Sequence, residues 1–220
     1  MFEINYFFEI LPVIASKLPI TLKLTLMSAV FALLIGTVVA VIAYYKVKIL
    51  YPITRVYVSI MRGPPIVAQL YFFYFGLAVY SAIVRNMAPL IAVAIVLSLN
   101  VGAFMSESIR GALLSVDEGQ KEAAYSLGMS GFQLVTRIII SQAVRVALPP
   151  LFNDIITLIK STSLAFMVGV ADIMGAAKIE GSISFRFFEI YAAVMLVYWC
   201  TITAFGALHK LLEIKCANMY

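Results

Sequence analysis

The chain has 220 residues, 63% of them hydrophobic and 12% charged, with a mean hydropathy of +1.02. A water-soluble domain carries about 45–50% apolar and about 25% charged residues, and a single domain of this size has too little interior to hide such an excess. The net charge of +5 and the two cysteines therefore describe neither a disordered or nucleic-acid-binding tail nor a disulfide scaffold, and a polytopic membrane protein remains.

Read from the N-terminus, residues 1–20 form a Phe-rich, weakly amphipathic segment expected to lie in the membrane interface. Glu3 and Glu9 occupy the place where a signal peptide is basic, and no small-residue cleavage site follows. Five runs are then long and apolar enough to cross a bilayer, at about 20 residues each. They are Leu22 to Tyr45, Val56 to Val84, Ala88 to Ile109, Pro149 to Met174 and Ile190 to Leu212. None alternates with period two, so helices are expected rather than a barrel. Lys46, Lys48 and Arg55 follow the first span. Arg110, Lys121, Arg137 and Arg145 follow the third, and Lys210 and Lys215 follow the fifth. The opposite side holds Lys17, Lys23, Arg85, Lys178 and Arg186. This bias predicts an external N-terminus and a cytoplasmic C-terminus. Cys200 and Cys216 read as reduced and structural, and His209 as interfacial.

The connection over about residues 111–148 is longer than most. Ser115–Val116–Asp117–Glu118 predicts a helix start with Ser115 as cap, and Gly128 a helix stop. Ser130 is expected to cap a second helix whose face carries Phe132, Val135, Ile139 and Ala143, ended or bent at Pro149–Pro150. Such a unit is too small to fold alone. It needs the spans or a partner to cover its apolar side.

Within this connection, Glu122–Ala123–Ala124, Gly128, Ile138–Ile139–Ile140 and Leu148–Pro149 resemble the E-A-A signature of binding-protein-dependent ABC importer permeases. Arg62–Gly63–Pro64–Pro65 with Gln69–Leu70, Ser106 to Gly111, and Asn153–Asp154 with Lys160 to Leu164 are similar to further motifs of the polar amino-acid members. Gly169 to Gly175 with Ala177–Lys178 is most similar to cystine permeases. The resemblance implies an all-α, single permease domain over 1–220 with the MetI-like fold and five transmembrane helices, in a bacterial inner membrane. It assigns Glu122, Ala123, Ala124 and Gly128 to coupling with an ATPase. It also implies two ATP-binding subunits, a second permease subunit (the same chain or a sister), and an extracytoplasmic amino-acid binding protein. No catalytic residue, metal, cofactor or nucleic acid belongs to this chain on that reading; ATP and Mg are bound by the partner. Ser161 stands where the family usually has Asp, and Asp154 where it often has Glu. One charge fewer favours a neutral or zwitterionic ligand such as cystine over a cationic one.

Ionisable groups inside a span are costly and face a cavity or a partner. Arg62, Ser98, Asn100, Asp154 and Ser161 are the substrate-binding candidates. Asp154 and Ser161, seven apart, share a helix face. Each has a structural alternative: an interhelical partner for Asp154, an ion pair with Glu107 for Arg62, and an interhelical bond for Ser98 or Asn100. Lys160 divides between a pocket and a snorkelling position. Ser98, Gly102 and Ser106, at four-residue spacing, predict a close helix contact within or between subunits. The chain has no phosphate-binding Gly-rich loop, so an ATP-driven importer must draw on another chain. An ion-coupled secondary transporter and a membrane-embedded enzyme are the competing classes. The first needs inverted repeats and the second a nucleophile or metal cluster, and the sequence offers neither.

Overall fold

The computed structural model describes residues 2–217, with side chains as far as Leu211; the Lys215 and Cys216 side chains lie outside the described residues. Helix α1 (Ile4–Ala15) turns at Ser16–Lys17 into α2 (Leu18–Tyr44), whose first turn is preset by Pro19. Residues 1–20 are thus divided between two helices, and α1 buries Ile10 and Ile14 against α11 and α12. After α2, Lys46 takes a left-handed backbone (φ 49°), and α3 (Leu50–Arg62) follows with Thr54 as its single buried residue.

The second predicted span is not one helix. It runs as α3, a break at Gly63–Pro64–Pro65, α4 (Ile66–Tyr71), a wide turn of π type over Phe72–Gly76, and α5 (Leu77–Tyr80). Neither proline has an N–H to donate, and each disfavours helix in the residue before it. The short α6 (Ala82–Arg85) leads to α7 (Pro89–Leu114). This is the central helix, with two thirds of its apolar window buried.

Helix α7 crosses α2 at backbone contact. A Cβ on Gly36 would stand 2.9 Å from the Met105 Cβ, and one on Gly102 would stand 3.2 Å from the Ala32 carbonyl. Ser98 donates to Ala94 O at 2.6 Å and lies 3.3 Å from Ser28 O. The small-residue contact expected at Ser98, Gly102 and Ser106 is therefore made inside the chain.

In the connection after α7 the start of α8 (Glu118–Ser126) differs from expectation. Asp117, not Ser115, is its cap, accepting from Gly119 N–H at 2.7 Å. Ser115 closes α7 instead, its hydroxyl donating to Ala112 O at 2.8 Å. Gly128 (φ 75°) ends α8 with backbone bonds from Gly128 to Tyr125 O and from Met129 to Ala124 O, the six-to-one pattern of a Schellman cap. Ser130 caps α9 (Gly131–Leu134) in a reciprocal pair with Gln133.

A π turn over Val135–Ile139 joins α9 to α10 (Ile140–Ser161), and 3-10 turns over Thr162–Val168 complete a helical run from Gly131 to Val168. Pro149 and Pro150 therefore neither end the helix nor begin a span. They remove two N–H donors, a loss tolerated where neighbouring helices and local adjustment re-satisfy the backbone. Gly169 (φ 90°) turns the chain into α11 (Ile173–Ser184), capped by Asp172, and α12 (Phe187–Ala217) closes the order.

Four helical runs (4–44, 89–114, 131–168 and 187–211) are long and apolar enough to cross a membrane, with the shorter apolar run 66–80 as the broken fifth. One apolar cluster joins α2, α4, α7, α10 and the 3-10 turns, and a second joins α1, α11 and α12. A third packs Ala112, Val116, Ala124, Leu134, Ile139, Ala143 and Ala147, so the loop unit is anchored on its own spans. Phe132, expected on the covered face, is 78% exposed.

Candidate functional site

The break in the second span is held by side chains. In a continuous helix the Met61 carbonyl would accept from residue 65, which is proline and has nothing to donate. The Gln69 amide supplies the missing bond at 2.9 Å and also donates to Pro64 O at 3.0 Å. Asn100, reaching across from α7, donates to Met61 O at 2.7 Å and to Gln69 Oε1 at 3.1 Å. Both Asn100 amide hydrogens are thereby used, and only its carbonyl oxygen is left for a ligand. Ser98 lies at the α2–α7 crossing and is 4% exposed.

Arg62 ends α3 directly before the break and is exposed. Its guanidinium lies 4.9 Å from the centre of the Phe104 ring, a cation–π distance. One turn further along α7, Ser108 donates to Asp154 Oδ2 at 3.2 Å; Arg62 attracts that carboxylate at longer range, with no ion pair between the two among the described residues. The structure thus brings Arg62 and Asp154, 92 positions apart in sequence, onto one open surface built by α3, α7 and α10. Ser161 lies two turns beyond Asp154, half-buried, and donates to Thr157 O at 2.9 Å. Lys160 borders a different hollow, with Met174, Met195 and Tyr198.

The ion pair considered between Arg62 and Glu107 is not formed. Glu107 pairs with Arg110 at 2.6 Å, and all three side chains line one cleft. Phe104 and Ser108 escaped the sequence reading. Their four-residue spacing on α7 was the available signal, but an aromatic residue and a serine in an apolar helix are ordinary packing residues until the partner helix is known. His209, taken as interfacial, stacks on Phe152 at 4.8 Å between ring centres. Cys200 is a free, exposed thiol.

On the loop unit, Glu122 and Ala123 are exposed and Ala124 is buried beneath them. Tyr125, Leu127 and Phe132 surround them as exposed apolar groups. Lys121 is drawn the other way, pairing with Glu118 at 2.6 Å and lying 5.6 Å from the centre of the Tyr44 ring. The Glu118 hydrogen bond raises its pKa. The four residues Glu122, Ala123, Ala124 and Gly128 thus sit on one short capped helix and its stop, projecting from the end of α7 and α10.

Residues 32–216 match the family described as the binding-protein-dependent transport system inner membrane component. The chain is 39% identical over its whole length to a probable amino-acid ABC transporter permease, PatM, of Vibrio harveyi, covering 98% of it. It is 33% identical, over 96% of this chain and 90% of the relative, to the L-cystine transport system permease TcyL of Bacillus subtilis (strain 168). Among solved structures, an amino acid ABC transporter crystallised with histidines has a chain that superimposes with a TM-score of 0.90 at 30% identity, covering 98% of this chain and 99% of that one. An inward-facing methionine ABC transporter, MetNI, shares the fold with a TM-score of 0.78 at 20% identity, over 94% of this chain and 96% of that one. An all-helical chain with a side-chain-braced break in one span, matched end to end in both sequence and shape, belongs to the binding-protein-dependent inner-membrane component family and is an amino-acid ABC transporter permease.

Proposed function

We propose that this chain is the translocating subunit of an ATP-driven importer for cystine or a related neutral polar amino acid. The observation that carries the reading is the placement of a cation and a carboxylate, Arg62 at Phe104 and Asp154 at Ser108 one turn along α7, on one face beside a broken span. A zwitterion needs one cation and one anion at short range, and this face supplies one of each. Asp154 receives the ligand ammonium group and Arg62 its carboxylate, with Ser161 further along the same helix face. Asn100 and Ser98 serve the same site from behind by holding α7 against the break and against α2. Ser161 adds no further negative charge, which suits a neutral side chain; the resemblance to TcyL supports the same ligand class.

In this reading two ATP-binding subunits seat on α8, with Glu122, Ala123 and Gly128 at the contact and Ala124 fixing the helix beneath it. A second permease subunit, the same chain or a sister, covers the open face. A binding protein delivers the amino acid from outside, where the N-terminus lies, and the C-terminus is cytoplasmic in the bacterial inner membrane. ATP and Mg are held entirely by the partner, and the conformational switch is a difference in binding between two states.

The test is uptake of labelled cystine, glutamine and arginine by the assembled transporter in proteoliposomes. ATP-dependent cystine or glutamine uptake, lost in Asp154→Asn, is expected. Uptake restricted to arginine would overturn the ligand class. Uptake driven by a sodium or proton gradient, without the ATPase, would overturn the transport class.

A further inference from the structure

Where α2 and α7 end and α3 begins, a cleft of about 510 Å³ runs along α3. Lys46, Arg55 and Arg110 line it, with Arg62 of the proposed substrate face at the far end of α3, against one carboxylate among the described residues, Glu107, which pairs with Arg110 at 2.6 Å. Lys46 and Arg55 have no ion pair among the described residues. Basic residues at this end of the spans are expected from topology alone, but topology requires neither that they converge on one hollow nor that they be strained. Lys46 sits in the left-handed region (φ 49°), an uncommon and mildly costly backbone for a residue with a side chain.

Tyr44 and Tyr51 also line the cleft, and such aromatic residues are enriched where membrane meets water. Val47, Ile49, Leu50 and Ile53, neighbours of Lys46 and Arg55 in sequence, are 42–77% exposed. A cationic lining wants a phosphate. Exposed aliphatic residues around it want acyl chain.

We propose that this cleft binds the phosphate headgroup of an anionic phospholipid, with Lys46 and Arg55 as the principal contacts and the acyl chains lying over Ile49 and Ile53. The same phosphate chemistry is available from a free anion, but the apolar rim selects the lipid. The site also adjoins the loop unit, because Lys121 of α8 lies over the ring of Tyr44, a residue of the cleft wall.

The experiment uses the assembled transporter in nanodiscs of phosphatidylcholine doped with phosphatidylglycerol, with retained lipid read by native mass spectrometry. Preferential retention of phosphatidylglycerol is expected, falling about 10-fold or more in the K46Q/R55Q double variant, since each basic residue near the surface contributes an electrostatic attraction of that order. Because those two cations also set topology, S59W is the companion: it fills the cleft at Ser59 without altering any charge, and should displace the lipid equally. The charge-preserving K46R/R55K should retain it. Equal retention in wild type and S59W would overturn the proposal. Competition by inorganic phosphate as effective as by phosphatidylglycerol would show a free-anion site and overturn the lipid reading.

Discussion

At the scale of single residues, two buried polar groups carry the most consequence. Asn100 joins Gln69 in donating to Met61 O, where Pro65 leaves a bond deficit, and it orients Gln69 at the same time. Asn100→Leu leaves Gln69 Oε1 without its donor inside the span and Met61 O with the Gln69 amide alone. A loss of about 1–3 kcal/mol is expected, read as a lower thermal midpoint of the purified transporter, whereas an exposed polar change such as Ser182→Ala should be neutral. Asp172 caps α11 by accepting from Gly175 N–H at 2.9 Å, yet its other oxygen has no hydrogen-bond partner and the residue is fully buried. Burial pushes its carboxyl up from 3.8 to about 6. A raised acid pKa means the folded chain prefers the protonated form. Asp172 therefore penalises folding least below about pH 4, and the penalty grows as pH rises towards 6. Asp172→Asn keeps the cap and removes the charge. A stability gain of about 2–3 kcal/mol at pH 7.5, vanishing near pH 4, is the expected signature in denaturation profiles.

At the scale of elements, the α2–α7 crossing is the tightest joint in the chain. Because a Cβ on Gly36 would stand 2.9 Å from the Met105 Cβ and 3.1 Å from the Gly102 carbonyl, Gly36→Val should force the helices apart and cost about 1–3 kcal/mol, seen as reduced yield and a lowered midpoint. The elements also show what sequence can and cannot reveal. Long apolar runs placed α2, α7 and α12, because length and hydropathy are local properties. Two proline pairs that look alike in sequence behaved differently: Pro64–Pro65 divides a helix and Pro149–Pro150 does not. The difference lies in what surrounds them. Gly63 precedes the first pair, and Gln69 and Asn100 are placed to take over its orphaned carbonyls; such partners are visible only once the helices are assembled. The Asp117 cap failed to stand out for a simpler reason. Ser115 and Asp117 are both good caps, and the choice is made by where α7 stops.

For the whole molecule, the fold class and family were legible because they rest on composition and spaced motifs. The placement of Arg62 and Asp154 along one face was not, since each lies far from the other along the chain and Phe104 and Ser108 carry no signal of their own. The loop unit connects the two scales. Its underside is fixed by Ala124 and Leu134 while Glu122 remains exposed, so Glu122→Lys should leave the fold intact but weaken attachment of the ATP-binding subunits. The expected outcome is loss of ATP-coupled uptake with normal membrane insertion and a smaller share of ATPase co-purifying. Wild-type uptake in that variant would remove the coupling role from α8.

The unbroken run from Gly131 through Asp154 gives that attachment a mechanical character. At 1.5 Å per residue, the stretch between those two residues is a strut of about 35 Å, with the loop unit at its foot and the carboxylate near its head. The π turn at Val135–Ile139 and the missing N–H donors at Pro149 and Pro150 are the two places where it can flex; between them, tilt imposed at the foot is carried towards Asp154. On the proposed reading, the Gly63–Pro64–Pro65 break gives α3 a separate hinge, so that Arg62 can stay behind while Asp154 is carried off. If Arg62 and Asp154 hold a zwitterion as proposed, drawing those two charges apart is itself a way to let go of the cargo.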